Sequence, residues 1–198
     1  MDVTERVREH HATALDRLGS EKSLLALTEA RLETEPVLSA AGAALASARA
    51  TLSDWAADAD GRVADALAAA AENLGDAADR VAESLEATLP GDSPFVSLAA
   101  ETDAGRAGAG LVGLGLVLDR LFQQSVSFFV NEADSARADL CRDLRGVADG
   151  LLETAAALAL EGDAADEAVE AAGTVVEAAY DTYVDRLDAM GFDPKPVC

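Results

Sequence analysis

The chain is short of the residues on which most enzyme chemistry depends. Among 198 residues it has two histidines, adjacent at His10 and His11, two cysteines, Cys141 and Cys198, and two lysines, Lys22 and Lys195. Two cysteines cannot staple a disulfide framework. Neighbouring histidines on a helix point about 100° apart, so they cannot clamp one metal as residues four apart can. No CxxC pair, no Gly-x-Ser-x-Gly elbow and no glycine loop followed by Lys-Ser or Lys-Thr is present, which removes the common redox, acyl-transfer and phosphate-loop signatures. Aromatic residues make up 4% of the chain and there are five prolines. With so few β-branched and aromatic runs, strands are not expected. The longest apolar stretch, residues 107–118, holds twelve uncharged residues before Asp119 and Arg120 interrupt it. That falls short of the roughly 20 that a membrane span needs. With no leader sequence recognised, the expected setting is the cytoplasm, with no membrane partner.

Acidic residues, by contrast, are abundant. Thirty-seven acids face fifteen bases, for a formal charge of −22, and half of the chain is hydrophobic. A chain this apolar can bury a core and is not wholly disordered. Aspartate outnumbers glutamate, arginine supplies all but two of the cations, and alanine is the commonest residue. This composition resembles that of proteins from halophilic archaea. At about 1 M salt the Debye length shrinks to ~3 Å, so dense carboxylates hardly repel one another and keep the surface hydrated. Nucleic acid is not an expected partner, because the densest basic group, Arg137, Arg142 and Arg145, is interrupted by Asp139 and Asp143.

Apolar spacing of three and four predicts helices almost throughout. A first helix is expected over residues 3–18, with Val3, Val7, His11, Ala14 and Leu18 on one stripe, stopped by Gly19-Ser20, which also cap a short helix bearing Leu24, Leu25 and Leu27. Thr34-Glu35-Pro36 reads as an N-cap with proline in the first turn. It opens a helix carrying Leu38, Ala41, Leu45, Ala48, Leu52 and Trp55. After a turn at 58–61, another helix runs to about Leu89 with Val63, Leu67, Ala70, Leu74, Ala77 and Val81. Residues 90–103 are the one long irregular stretch, able to reach ~46 Å when extended. A central helix over 104–130 presents Leu111, Leu114, Leu118, Leu121 and Phe128 to one side and Val112, Leu116 and Phe122 to another. Its glycines, Gly105, Gly108, Gly110, Gly113 and Gly115, read as close helix packing rather than a nucleotide loop. Helices over 133–160 and 163–190 follow, the last ended by Gly191 and barred from resuming by Pro194 and Pro196. The expectation is an all-α, single-domain antiparallel bundle, with its core at about 35–160 and a flexible tail at 191–198.

The remaining candidates read more simply as structure than as chemistry. His11 is a packing histidine on the apolar stripe. Cys141 is a small buried hydrophobe beside Leu140 and Leu144. Cys198 belongs to an inert tail and is not four from the end, as prenylation requires. Acids four apart, Asp54/Asp58, Glu72/Asp76, Asp139/Asp143 and Asp181/Asp185, lie off the apolar seams and read as solvated surface.

Three segments carry a resemblance: VREHHATALDRLGSEKSLLALTEA at 7–30, SFFVNEAD at 127–134 and AAYDTYVDRLDAMGFDPKPVC at 178–198. They resemble small haloarchaeal proteins grouped with rubrerythrin-like members of the ferritin-like superfamily. The resemblance implies a ferritin-like four-helix core with the 90–103 segment as its crossover and additional helices at both ends. It also implies a di-iron site built from carboxylates and two Glu-x-x-His motifs. That chemistry does not carry over. Glu72 is followed three residues later by Gly75, Glu153 by Ala156, and no histidine follows His11. No metal-binding, cofactor-binding or catalytic residue is therefore assigned. The expected function is that of a non-enzymatic protein acting through a protein partner or through self-association, a homodimer included. Two alternatives stand beside it: a degenerate ferritin-like protein binding metal through carboxylates alone, and a chaperone for a cofactor enzyme.

Overall fold

The computed structural model describes residues 2–194. Helices follow one another as α1 (Val3–His10), α2 (Ala12–Leu18), α3 (Lys22–Thr28), α4 (Thr34–Asp58), α5 (Gly61–Leu85), α6 (Asp103–Ala107), α7 (Leu114–Asn131), α8 (Ser135–Leu158) and α9 (Gly162–Ala189), with a π-helical turn, Gly108–Gly113, joining α6 to α7. Among the described residues there is no strand, and no helix is long and apolar enough to cross a membrane.

Four long rods make the first core. α4 packs against α5, α5 against α8, α8 against α7 and α7 against α4. The inward stripes are those the spacing predicts. Leu38, Ala41, Leu45, Ala48 and Leu52 of α4 meet Leu67, Leu74 and Val81 of α5 and Leu114 and Leu118 of α7, each of them fully enclosed. Large and small residues alternate on these stripes, so the helices can approach closely.

The 86–102 segment fixes the topology. At one end Leu89 presses on Gly42 near the start of α4. At the other, the carboxylate of Asp103 accepts a hydrogen bond from the backbone N–H of Asp60, in the α4–α5 turn, at 3.2 Å. The segment therefore crosses the length of the bundle. A 25-residue helix such as α5 measures about 37 Å, which 17 residues span with slack. The four rods run up, down, down and up, each antiparallel to both of its neighbours. On its way the crossover buries Phe95 and Val96.

α9 lies outside the ring, and α1 to α3 lie alongside it. Together with Val112, Leu116 and Val117 they enclose a second core around Val7, Leu15, Val176, Tyr183 and Leu187. The central helix thus serves two cores, as its two apolar faces predict. Phe122, however, stands four residues after Leu118 and faces the four-helix side rather than the outer one.

Other expectations change in detail. The first helix breaks at His11, whose backbone (φ −115°, ψ 25°) leaves the helical region. The break accompanies the packing of the His11 ring directly on Gly173 of α9, where any side chain would collide with it. Thr34 is the first residue of its helix, not its cap; extended Glu33 precedes it, with no side-chain cap bond. Ser20 does not cap α3, because its hydroxyl donates backward to the carbonyl of Arg17 at 2.7 Å. α5 stops at Leu85, where Glu86 turns left-handed (φ 53°). The central helix is not uniformly α-helical. Its π turn adds width where Gly108, Gly110 and Gly113 let other elements come close. A Cβ on Gly108 would overlap the backbone of Ala168, and one on Gly113 would lie 2.7 Å from the carbonyl oxygen of Ala172.

Candidate functional site

Chemistry inside the bundle would need polar side chains in its interior. Among the described residues four polar ones are buried: Ser23, Thr28, Ser93 and Ser125. Ser125 donates to the carbonyl of Leu121 at 3.1 Å and Thr28 to that of Leu24 at 2.7 Å, so both hydroxyls are used by their own helices. Cys141 lies fully enclosed on α8. Burial pushes its thiol up to about 12, with a further contribution from the negative charge of Asp134. A thiol so placed stays protonated and does not act as a nucleophile at neutral pH. Among the described residues, no three His, Cys, Asp or Glu side chains gather closely enough to hold a metal ion. Glu72, Glu132 and Glu153 are exposed. The residues present do not fit a di-iron centre.

The acid pairs four apart are on the surface, and arginines hold two of their members. Asp143 accepts from Arg80 across α5 and α8, and Asp139 from Arg142 on its own helix. Asp54, Asp58, Glu72, Asp76, Asp181 and Asp185 are all exposed. The Arg137 backbone N–H, and then its guanidinium, bond the Asp134 carboxylate and hold it below the usual carboxylate range. That carboxylate is the N-cap of α8. Exposed His10 and half-buried His11 do not converge. His11 Nδ1 instead sits 3.4 Å from the Glu177 carboxylate of α9. Cys198 and Lys195 lie outside the described residues.

Apolar surface is left bare in few places. Among the described residues the exposed large hydrophobics are Leu32, Val130 and Phe192. Leu32 and Phe192 flank one groove of about 810 Å³ on α2 and α3, floored by Leu25 and bordered by Arg17 and Lys22. Its wall is built by the chain returning after α9. The carbonyl of Pro194 accepts from the Tyr183 hydroxyl at 3.1 Å and from Arg17 at 3.2 Å, and Lys22 donates to the carbonyl of Asp193 at 2.7 Å. Residues 191–194 are therefore held against α2 and α3, where a flexible tail was expected. The charged rim of the groove balances to neutral, with Arg17 and Lys22 against Asp16 and Glu21. Residues 2–33 carry Arg6, Arg8, Arg17, Lys22 and Arg31 against seven acids, whereas 34–198 carry thirty acids against ten bases.

Sequence reasoning did not single out this groove. Leu25 was legible as an apolar residue, but Leu32 and Phe192 lie outside any helical stripe. Only the return of the chain places them together. No protein-family description, curated protein or solved structure matches the chain.

Proposed function

We propose that this is a non-enzymatic, cytoplasmic helical-bundle protein of a halophilic archaeon that acts through protein contacts made at the α2–α3 groove. The observation that carries this reading is the exposed pairing of Leu32 and Phe192 beside Arg17 and Lys22. An apolar patch with a polar rim is how protein interaction sites present themselves. On a chain of net charge −22, a groove whose rim sets Arg17 and Lys22 against Asp16 and Glu21 repels an approaching acidic protein only weakly. The bundle is ferritin-like in this reading, supported by the up-down-down-up order and its single long crossover. Leu67, Leu74, Leu114 and Leu144 fill its interior, which supports a bundle packed without a metal centre. The scarcity of lysine and the excess of aspartate support the halophilic setting.

The double variant Leu32→Asp/Phe192→Asp tests the proposal, because both side chains are partly solvated and the fold does not depend on them. In molar KCl, wild type is expected to sediment as a dimer or to retain a specific partner from a lysate, and the variant to lose that association with its melting temperature unchanged. Monomeric wild type with no retained partner, or an association that the variant keeps, rejects this surface. Stoichiometric iron, manganese or zinc in protein purified without chelators rejects the metal-free reading.

A further inference from the structure

Leu32 and Phe192 flank the α2–α3 groove on backbone that is fixed before any partner arrives. Phe192 donates its backbone N–H to the carbonyl of Leu187 at 2.9 Å, and the two carbonyls after it are gripped by Lys22 and Arg17. Leu32 follows two consecutive left-handed residues, Glu29 (φ 53°) and Ala30 (φ 61°), and Glu33 N–H bridges back over it to the carbonyl of Arg31 at 3.0 Å. Apolar side chains on a backbone held this way lose little freedom on docking. The same face therefore offers two protruding side chains and a groove floored by half-buried Leu25. Acid and base alternate along its rim, as Asp16-Arg17 in the last turn of α2 and Glu21-Lys22 at the start of α3.

We infer that the partner at this groove is a second copy of the chain, related by a two-fold axis, with Leu32 and Phe192 of each copy laid into the groove of the other. The inference rests on the reading of the groove as a contact surface and names its occupant. Charge selects that occupant. An acidic partner would set like charge against Asp16 and Glu21, and a basic one against Arg17 and Lys22. A surface bearing the same four charges, turned by a two-fold axis, can place each acid against a base. Because the protruding side chains and the groove share one face, the contact closes at two copies and does not propagate into a filament. The remaining acids of two chains, each of net charge −22, are screened beyond ~3 Å in about 1 M salt and oppose the pairing little.

Sedimentation equilibrium of the full chain in molar KCl reads the dissociation constant of the dimer, and wild type is expected to be dimeric at micromolar concentration. Asp16→Asn/Glu21→Gln should raise that constant about tenfold, because a two-fold contact repeats each exposed ion pair and loses all of them together. Asp16→Lys/Glu21→Lys, which sets like charges face to face, should raise it about a hundredfold. Both acids are exposed, and the neutral variant carries the test if the reversed one folds poorly. A monomeric wild type overturns the two-fold pairing. If that monomer still retains a lysate protein that Leu32→Asp/Phe192→Asp releases, the groove stands as a contact surface and only the identity of its partner fails. A wild-type dimer whose dissociation constant is unmoved by the folded acid variants overturns the pairing as well.

Discussion

Two seams in this molecule are lined by small residues, and they are built in opposite ways. Between the π turn and α9, Gly108 and Gly113 meet the backbone of Ala168 and Ala172 so closely that no Cβ fits. Between α5 and α8, Gly146 and Gly150 border a shallow groove with Ala70 and Ala77, and a Cβ on either glycine would meet nothing within 4 Å. The closed seam joins the two cores. The open one leaves backbone facing solvent. Small residues at helical spacing therefore state a capacity for close approach, and only the tertiary arrangement decides whether anything uses it.

The comparison breaks most visibly at Gly108. Replacing it with alanine should drive the central helix away from α9 and cost about 3 kcal/mol, the upper end of ordinary overpacking. Chemical denaturation measures this, and a loss below about 1 kcal/mol would mean that the seam yields. Next in size is the protection of the enclosed face of α8. Cys141 in the native protein should resist iodoacetamide at a pH where free thiols react. The thiol pKa is raised by folding, from 9.0 to about 12. Its contribution to stability is therefore complete below pH 9.0 and fades as pH climbs through that interval. Cys141→Ala should lose less stability than wild type over the same alkaline range, read by thermal melts.

Asp134 gives a smaller effect of opposite sign. Its carboxyl is lowered by folding, chiefly through the backbone N–H and guanidinium of Arg137. The cap therefore supports α8 above the ordinary carboxylate range and weakens as pH falls through and below it. Asp134→Asn should lower the melting temperature at neutral pH and flatten its acid decline; an unchanged acid limb would assign that decline to other carboxylates. The smallest effect is at the open seam. Gly150→Ala, with open space around the new methyl, should stabilise by about 0.5–1 kcal/mol through helix propensity alone. A destabilisation would show that α5 and α8 close on each other in solution.

Much of this architecture is legible in the residues themselves. The stripes on α4 and α5 are strong enough that Leu38, Leu45, Leu52, Leu67 and Leu74 are all fully enclosed. The second face of the central helix was legible because Val112 and Leu116 have no polar neighbour nearby. The π turn was not. Its glycines announce small volume, but an additional residue in a turn leaves no mark on a three-and-four pattern. The break at His11 was hidden for a related reason, since Val7 and Leu15 keep helical spacing across it. For the candidate surface, Leu32 and Phe192 carry no periodic signal, being loop residues brought together by hydrogen bonds to the carbonyls of Asp193 and Pro194.

Trp55 closes α4 where the two cores meet, packing on both clusters and on Gly110 of the π turn. It is also the chain's only tryptophan. The molecule thus carries a native optical reporter at its internal boundary. One emission spectrum, followed through unfolding, registers whether the ring of rods and its outer jacket come apart in a single step or in succession.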